Sequence, residues 1–465
     1  MALCITIPAF AETESVTVGG SIDAFWFYRR NLDLLDGNDA GTTPAGVAVP
    51  GASHGSSAVN RSEADDYFMT ITQIEVSADL TDNVSTVVNL LNQRDWNAGP
   101  DEWSPAPSSG EEFDIGIDLA YVELKEIFYA PLTLTLGRQD LWFGRGLVLG
   151  WNNLAITDPN LSIQDENFSE FGAFDAIRAT LDLSPWTIDF IYTKIDENAH
   201  DPEDDLDLHF VNVNYAFSEY NAVAELYFGR ENDRSTLAGT GADDGTRNND
   251  TNTIGARVQF DPIDQITLGA EVAHQSGTAR SAVDSPGRDR DAWAVDLFGT
   301  YRWDYEWKPE LTVEYVFLSG EEDLSPGATS DYHAWVDNHR GSVWGWIHDA
   351  KEFYFATASP SDLFTAPNQQ FISLLGVITP LEDLKLSVNY YYFWADEDLH
   401  LDPTDPGSPA LDDEIGHEID AEISYAYTED VTFTFYAIWF IPGDQYTSPE
   451  DSTAIEVISR VKVAF

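Results

Sequence analysis

The chain has 465 residues, 43% of them apolar and 13% aromatic, with 23 Lys+Arg against 81 Asp+Glu and a formal charge of −58. That charge argues against nucleic acid and anionic membrane surfaces as partners of the chain as a whole, since both are held by Lys and Arg. The single cysteine excludes a disulfide framework and Cys-rich metal sites, and no segment approaches the roughly 20 apolar residues of a membrane helix.

The N-terminus reads as the end of a secretory signal peptide, with an apolar run leading to Ala9-Phe10-Ala11. The basic segment that normally opens such a peptide is missing. Residues 1–11 are accordingly taken as a remnant, and 12–465 as one domain. Cys4 is preceded by Leu3, where a lipid-attachment site wants a small residue.

From residue 15 onward the dominant signal is period-two alternation. It predicts strands near 15–29, 66–80, 84–95, 113–126, 131–140, 171–183, 186–195, 207–217, 221–231, 251–260, 265–275, 290–303, 309–319, 369–379, 383–395, 416–427, 431–441 and 454–465. Leu311, Val313, Tyr315 and Phe317 alternate with Glu310, Thr312 and Glu314. Ile455, Val457, Val461, Val463 and Phe465 oppose Glu456, Arg460 and Lys462. In a strand these sets point to opposite faces, one greasy and one polar.

The connections alternate in length. Thr81-Asp82-Asn83, Ser184-Pro185, Ser218-Glu219-Tyr220, Asp261-Pro262-Ile263-Asp264 and Glu429-Asp430 are tight turns; 30–65, 96–112, 141–170, 232–250, 320–368 and 396–415 are long. An all-β transmembrane antiparallel barrel of about 18 strands fits, with short periplasmic turns and long extracellular loops. Backbone groups unpaired in hydrocarbon cost several kcal/mol each, so the sheet must close. A barrel of this size leaves a water-filled lumen. Trp26, Tyr28, Trp186, Tyr301, Trp303, Trp394, Tyr427 and Trp439 share the greasy parity near strand ends, where aromatics mark the headgroup boundary. The implied partners are outer-membrane lipid and lipopolysaccharide, small solutes or oligosaccharides, and the barrel-assembly machinery through the terminal Phe465.

Acidic runs such as Asp201-Pro-Glu-Asp-Asp205, Asp243-Asp244, Glu321-Glu322-Asp323 and Asp396-Glu397-Asp398 fall in the long loops. They read as a hydrated, self-repelling exterior; bridging by divalent cations is the alternative. On the inward parity the acids are Asp23, Glu75, Asp118, Asp189, Glu225, Glu271, Asp296, Glu314, Glu418, Asp420, Glu422 and Glu456. The bases are Arg178, Arg257, Arg302, Lys385, Arg460 and Lys462. The excess of acids predicts a pore favouring cations or neutral solutes; pairing across neighbouring strands is the plainer use for the same residues.

Arg138 and Arg145 flank the end of one strand. Strict alternation places Arg138 outward, and a β-bulge near Gly137 would turn it inward. The stretch Gly144 to Gly150 is suited to folding into the barrel mouth as a constriction; an ordinary exposed loop is the alternative. Gly137-Arg138-Gln139-Asp140-Leu141, Trp151-Asn152-Asn153 and Phe174-Asp175-Ala176-Ile177-Arg178 together resemble the alginate-export family of outer-membrane proteins. The resemblance implies an 18-stranded porin-like barrel passing an acidic polysaccharide or other solutes, with Arg138 and Arg178 in matching positions as members of a basic lumen patch; Asp175, in the same motif, is taken as a further candidate for the pore lining or constriction. The acidity of the remaining chain departs from what a polyanion exporter needs.

No G-x-S-x-G, HExxH or phosphate-binding glycine loop occurs. His333, His339 and His348 share one long loop without the spacing of a metal site, so neither a cofactor nor a catalytic centre is expected. The rival readings are a surface enzyme on a barrel scaffold, acting on lipid or polysaccharide, and a plugged structural or adhesive barrel.

Overall fold

The computed structural model describes residues 15–32, 34, 64–96, 115–152, 169–196, 205–233, 249–279, 287–322, 330–337, 339–348, 368–398, 409–446 and 452–465. The leader-like segment 1–11 and the acidic runs at 201–204 and 243–244 lie outside them. The strands are β1 (Ser15–Arg30), β2 (Asp65–Thr81), β3 (Val84–Asp95), β4 (Gly116–Leu124), β5 (Leu132–Gln139), β6 (Phe174–Leu183), β7 (Trp186–Asp196), β8 (Leu206–Ala216) and β9 (Val223–Asp233). They continue as β10 (Asn249–Ile263), β11 (Ile266–Ala279), β12 (Arg288–Arg302), β13 (Glu310–Leu318), β14 (Gln369–Leu381), β15 (Leu384–Trp394), β16 (Glu414–Ala426), β17 (Val431–Pro442) and β18 (Ala454–Ala464).

Each strand pairs antiparallel with its sequence neighbours, and β18 pairs with β1 from Ser21↔Ala464 to Arg30↔Ile455, closing an 18-stranded barrel. Phe465 carries the ladder one residue further: its N–H donates to the Gly20 carbonyl at 3.0 Å and its carbonyl accepts from the Gly20 N–H at 2.9 Å. No edge is left to hydrocarbon. One turn lies elsewhere than expected. β10 runs through Asp261 and Pro262, with a register shift between Phe260 and Ile263, and the chain reverses at Asp264-Gln265. The bulge accommodates a proline that cannot donate to the ladder.

β12 shows how the wall is made. Trp293, Leu297, Tyr301 and, just past its end, Trp303 are exposed on one parity, while Ala292, Ala294 and Asp296 are buried on the other. Trp293 to Trp303 is ten steps of ~3.3 Å on a strand tilted by ~40°, a height of ~25 Å, the thickness of the apolar band of an outer-membrane barrel.

The inner face differs from the expected uniformly polar wall. Toward the long-loop end it is apolar: Phe25, Phe27, Met69, Phe174, Phe210, Phe371, Phe393, Phe440 and Ile458 point inward and are buried. They are covered by Leu141, Phe143, Leu147 and Leu149 of the β5–β6 connection and by Trp335, Trp344 and Ile347 of the β13–β14 connection. The core of this protein is therefore the junction between the upper barrel wall and two loops folded into the lumen, and burying it offsets the chain entropy of ordering those loops.

Candidate functional site: a constriction of two inward loops

The first loop turns at Phe143–Gly146, where the Gly146 N–H donates to the Phe143 carbonyl at 3.0 Å. Gly144 has φ +61, and a Cβ there would stand 2.6 Å from a Glu271 carboxylate oxygen, so both conformation and space require glycine. The tip meets a row of carboxylates on β9, β11, β12 and β13. The Gly144 N–H donates to Glu225 Oε2 and the Arg145 N–H to Glu271 Oε2, both at 2.9 Å. Arg145 Nε donates to Asp296 at 2.5 Å, its Nη2 to Glu314, and its guanidinium lies 4.0 Å from the centre of the Phe298 ring.

Four neighbouring carboxylates would repel one another in a dry wall. Here every member has donors. Arg257 Nη1 and Asn214 Nδ2 serve Glu225 at 2.8 and 3.0 Å, and the Tyr227 hydroxyl serves Glu271 at 2.8 Å. The register makes this possible, because Arg257 lies opposite both Glu225 and Glu271, and Glu271 opposite Asp296.

The second loop is threaded along the inner wall. Gln275 exchanges two hydrogen bonds with the Val336 backbone, at 2.7 and 3.0 Å, and His339 Nε2 meets Glu231 at 2.8 Å. A helical turn begins at Trp346, and its Ile347 and His348 N–H groups both point at the Glu418 carboxylate, at 2.9 Å each. Those amides have no partner within their own turn, and Glu418 caps them from β16. His348 stacks on Phe393 at 4.0 Å and Arg340 on Trp344 at 4.3 Å.

The loops also hold each other. The Gly150 N–H donates to the His339 carbonyl and the Gly341 N–H to the Gly146 carbonyl, each at 2.8 Å, and Ser342 Oγ donates to the Arg145 carbonyl at 2.5 Å. A Cβ on Gly341 would come within 2.8 Å of the Gly150 Cα. Gly341→Val is therefore expected to separate the loops while leaving the barrel closed. Faster amide exchange at Gly150 and Gly341 with unchanged heat-modifiable gel mobility would show it, and unchanged exchange would count against a mutual latch.

The stretch just before β6 is tied to β3: Gln93 Nε2 donates to Ser169 Oγ at 2.8 Å and the Glu170 N–H donates to Gln93 Oε1 at 3.1 Å. Burial raises the pKa of the Glu170 carboxyl, against the pull of Lys462 and Arg460.

Of the residues singled out from sequence, Arg145, Arg257, Glu271, Asp296 and Glu314 come together at the loop tip. Glu418 lies under the second loop, with Asp420 and Glu422 following it on the same parity. Arg178 is on the inner wall, 2.9 Å from Asp189 and over the Phe143 ring at 5.3 Å. Arg302 bonds Glu310 at 3.0 Å and Thr267 at 2.8 Å near the short-turn rim, and Lys385 is exposed on the inner parity. Asp118 is buried as the extra residue where the β3–β4 register slips between Asn89 and Leu90. That is the bulge expected near Gly137, one strand away. The β4–β5 and β5–β6 registers are continuous, so Arg138 and Asp175 keep the outer parity as a pair at 3.5 Å. They do not line the constriction, a correction to the grouping drawn from the motif. Sequence reading missed Tyr227, Phe298, Gln275 and Ser342, whose partners lie far along the chain. Among the described residues, no group of three or more metal-ligating side chains forms; His333 Nδ1 meets the Asp291 carbonyl, and His339 and His348 are used as above.

A sequence model described as alginate export matches residues 54–459. No curated protein sequence matches the chain. Among solved structures, OccD3 (OpdP) of Pseudomonas aeruginosa superimposes with a TM-score of 0.53 at 13% identity, covering 98% of this chain and 93% of that one. OccK3 (OpdO) of the same organism gives 0.54 at 9% identity, with 98% and 97% covered. OpdK of that organism, solved with vanillate, gives 0.54 at 10%, with 97% and 99% covered. At such identities the likeness is one of fold.

Proposed function

The chain belongs to the alginate-export family, as a porin-like channel of the bacterial outer membrane, and on that premise we propose that it passes small polar solutes and short saccharides around two pinned loops, without catalysis. The observation that carries this reading is the use made of the lumen carboxylates. Glu225, Glu271, Asp296, Glu314 and Glu418 hold loops, and each is matched by N–H donors or arginine. The cation preference expected from counting charges is accordingly reduced. Lower on the wall, Arg460 and Lys462 are matched by Asp23 at 2.6 and 3.5 Å, and Arg178 by Asp189. Where these pairs lie the wall charge is locally balanced, which suits neutral and weakly charged solutes, and among the described residues no continuous basic lane is offered to a long polyuronate.

Liposome swelling tests this directly. Monosaccharides, monouronates and amino acids should enter, and long polyuronate should not. Fast polyuronate passage with no monosaccharide entry would replace this reading by that of a dedicated exporter. Activity on lipid or glycan, lost on changing loop carboxylates, would favour the surface-enzyme alternative.

We also assign assembly recognition to Phe465, which extends β18 and is 64% exposed. Deleting it should lower the heat-modifiable barrel recovered from outer membranes several-fold while refolding into detergent proceeds normally. Equal recovery would remove that role.

A further inference from the structure

The outer face carries a pattern that the channel reading does not use. Among the described strand residues, five cations point outward: Arg30, Arg94, Arg138, Lys194 and Arg230. They stand on β1, β3, β5, β7 and β9, each within the last four residues of its strand, at the long-loop rim. The parity is fixed by their inward, buried neighbours, Gln93 and Asp95 around Arg94 and Phe174 and Ala176 beside the partner of Arg138. On β11 to β17 no outward cation stands within four residues of the long-loop end: Arg288 and Arg290 lie on the buried parity of β12, and the outward residues nearer that rim include His274, Trp293, Trp394 and Trp439. In a chain with only 23 basic residues and a charge of −58, this half-belt is a concentration that composition does not supply.

Carboxylates interleave on the strands between. Asp175 meets Arg138 at 3.5 Å, and Arg230 meets Asp250 at 3.3 Å, while Lys194 meets Asp205 just before β8 at 2.6 Å. Alternate strands are ~10 Å apart, so like charges recur at that spacing around half of the rim. Beside the cations lie greasy platforms, such as Phe68 stacked on Trp96 at 4.9 Å.

A bilayer leaflet whose headgroup phosphates are cross-linked by divalent cations has the complementary pattern. Arginine and lysine take phosphate oxygens, carboxylates take the divalent ion, and the aromatic platform takes the acyl chains. We propose that the upper outer rim of β1–β9 is a docking belt for a phosphorylated glycolipid of the outer leaflet with its divalent counter-ions, held by these five cations. This rests on the outer-membrane placement and is independent of what the lumen passes.

The test uses the whole protein in phosphatidylcholine nanodiscs with Mg²⁺, titrated with diphosphorylated lipid A or its dephosphorylated form and read by native mass spectrometry. The wild type should prefer the phosphorylated lipid by about tenfold or more. EDTA, or the combined variant Arg30→Gln, Arg94→Gln, Arg138→Gln, Asp175→Asn, Lys194→Gln, Arg230→Gln, should abolish the preference. Lys125→Gln with Lys308→Gln, at the opposite rim, should retain it, and conductance should be unchanged throughout. Equal binding of the two lipids by the wild type, or equal preference in wild type and variant, overturns the belt. So does a change of oligomeric state in the variant without loss of lipid, which would make this rim a contact between copies. Should the combined variant fail to fold by gel mobility, Arg230→Gln alone carries the comparison, with a drop of about threefold expected and no drop overturning the proposal.

Discussion

Arg145→Ala is expected to raise single-channel conductance several-fold and to admit larger sugars in liposome swelling. The guanidinium serves Asp296 and Glu314, whose side chains are only 2% and 12% exposed. Removing it leaves two carboxylates in a dry wall without their main cation. Breaking a buried pair from one side costs about 3–5 kcal/mol, and each 1.4 kcal/mol is tenfold in an equilibrium. The ratio of docked to released loop should fall by roughly 10² to a few times 10³ on that basis. The Gly144 and Arg145 amides still reach Glu225 and Glu271, so release is expected as bursts of higher conductance. Arg145→Lys keeps the charge and loses the fork that spans two carboxylates, and should fall between. An unchanged conductance histogram in Arg145→Ala would show that the first loop does not limit the pore.

Glu418→Leu should unseat the second loop. The carboxylate is buried and accepts from the Ile347 and His348 amides at 2.9 Å each. Leaving a buried N–H donor unsatisfied costs about 1–3 kcal/mol, so with two such donors the helical turn should lose at least ~2 kcal/mol. Protection of those two amides against exchange should drop about thirtyfold or more. The barrel should keep its heat-modifiable mobility, because the β15–β16 and β16–β17 ladders are made by backbone. Unaltered protection would mean that stacking of His348 on Phe393 holds the turn without the cap. In combination with Arg145→Ala, an effect on conductance beyond the sum of the two is expected, since the loops bond each other through Gly150, Gly341 and Ser342.

The two anchors differ in how far sequence exposes them. Glu271, Asp296 and Glu314 alternate with apolar residues on their strands, and Arg145 sits in a glycine-rich loop, so each is legible as a lumen candidate. That one arginine meets two of them, while its own amide meets the third, depends on a loop closing across a distance that no local pattern records. The inward aromatics were legible only as an ambiguity. Ala24-Phe25-Trp26-Phe27-Tyr28 is a continuous apolar run, which periodicity reads as a strand buried on both faces without saying by what. Phe25 and Phe27 of that run join a buried cluster whose other members include Leu147, Leu149 and Trp335, distant in the chain.

Arg138 shows the reverse. Alternation by itself places it outward, and the motif's likeness to a family drew it inward. The register agrees with alternation, because the bulge fell on β4 at Asp118.

Strand number, most strand limits, alternating loop length and the greasy outer wall follow from the amino-acid order alone, because a β-strand in a bilayer has its two faces set by a period of two and its length by the membrane's thickness. Which carboxylates hold loops, which face of the upper wall is covered, and where the bulge falls were decided only by tertiary structure. Those outcomes are contacts between residues tens to hundreds of positions apart, and their energies exist only once the barrel has closed around the loops.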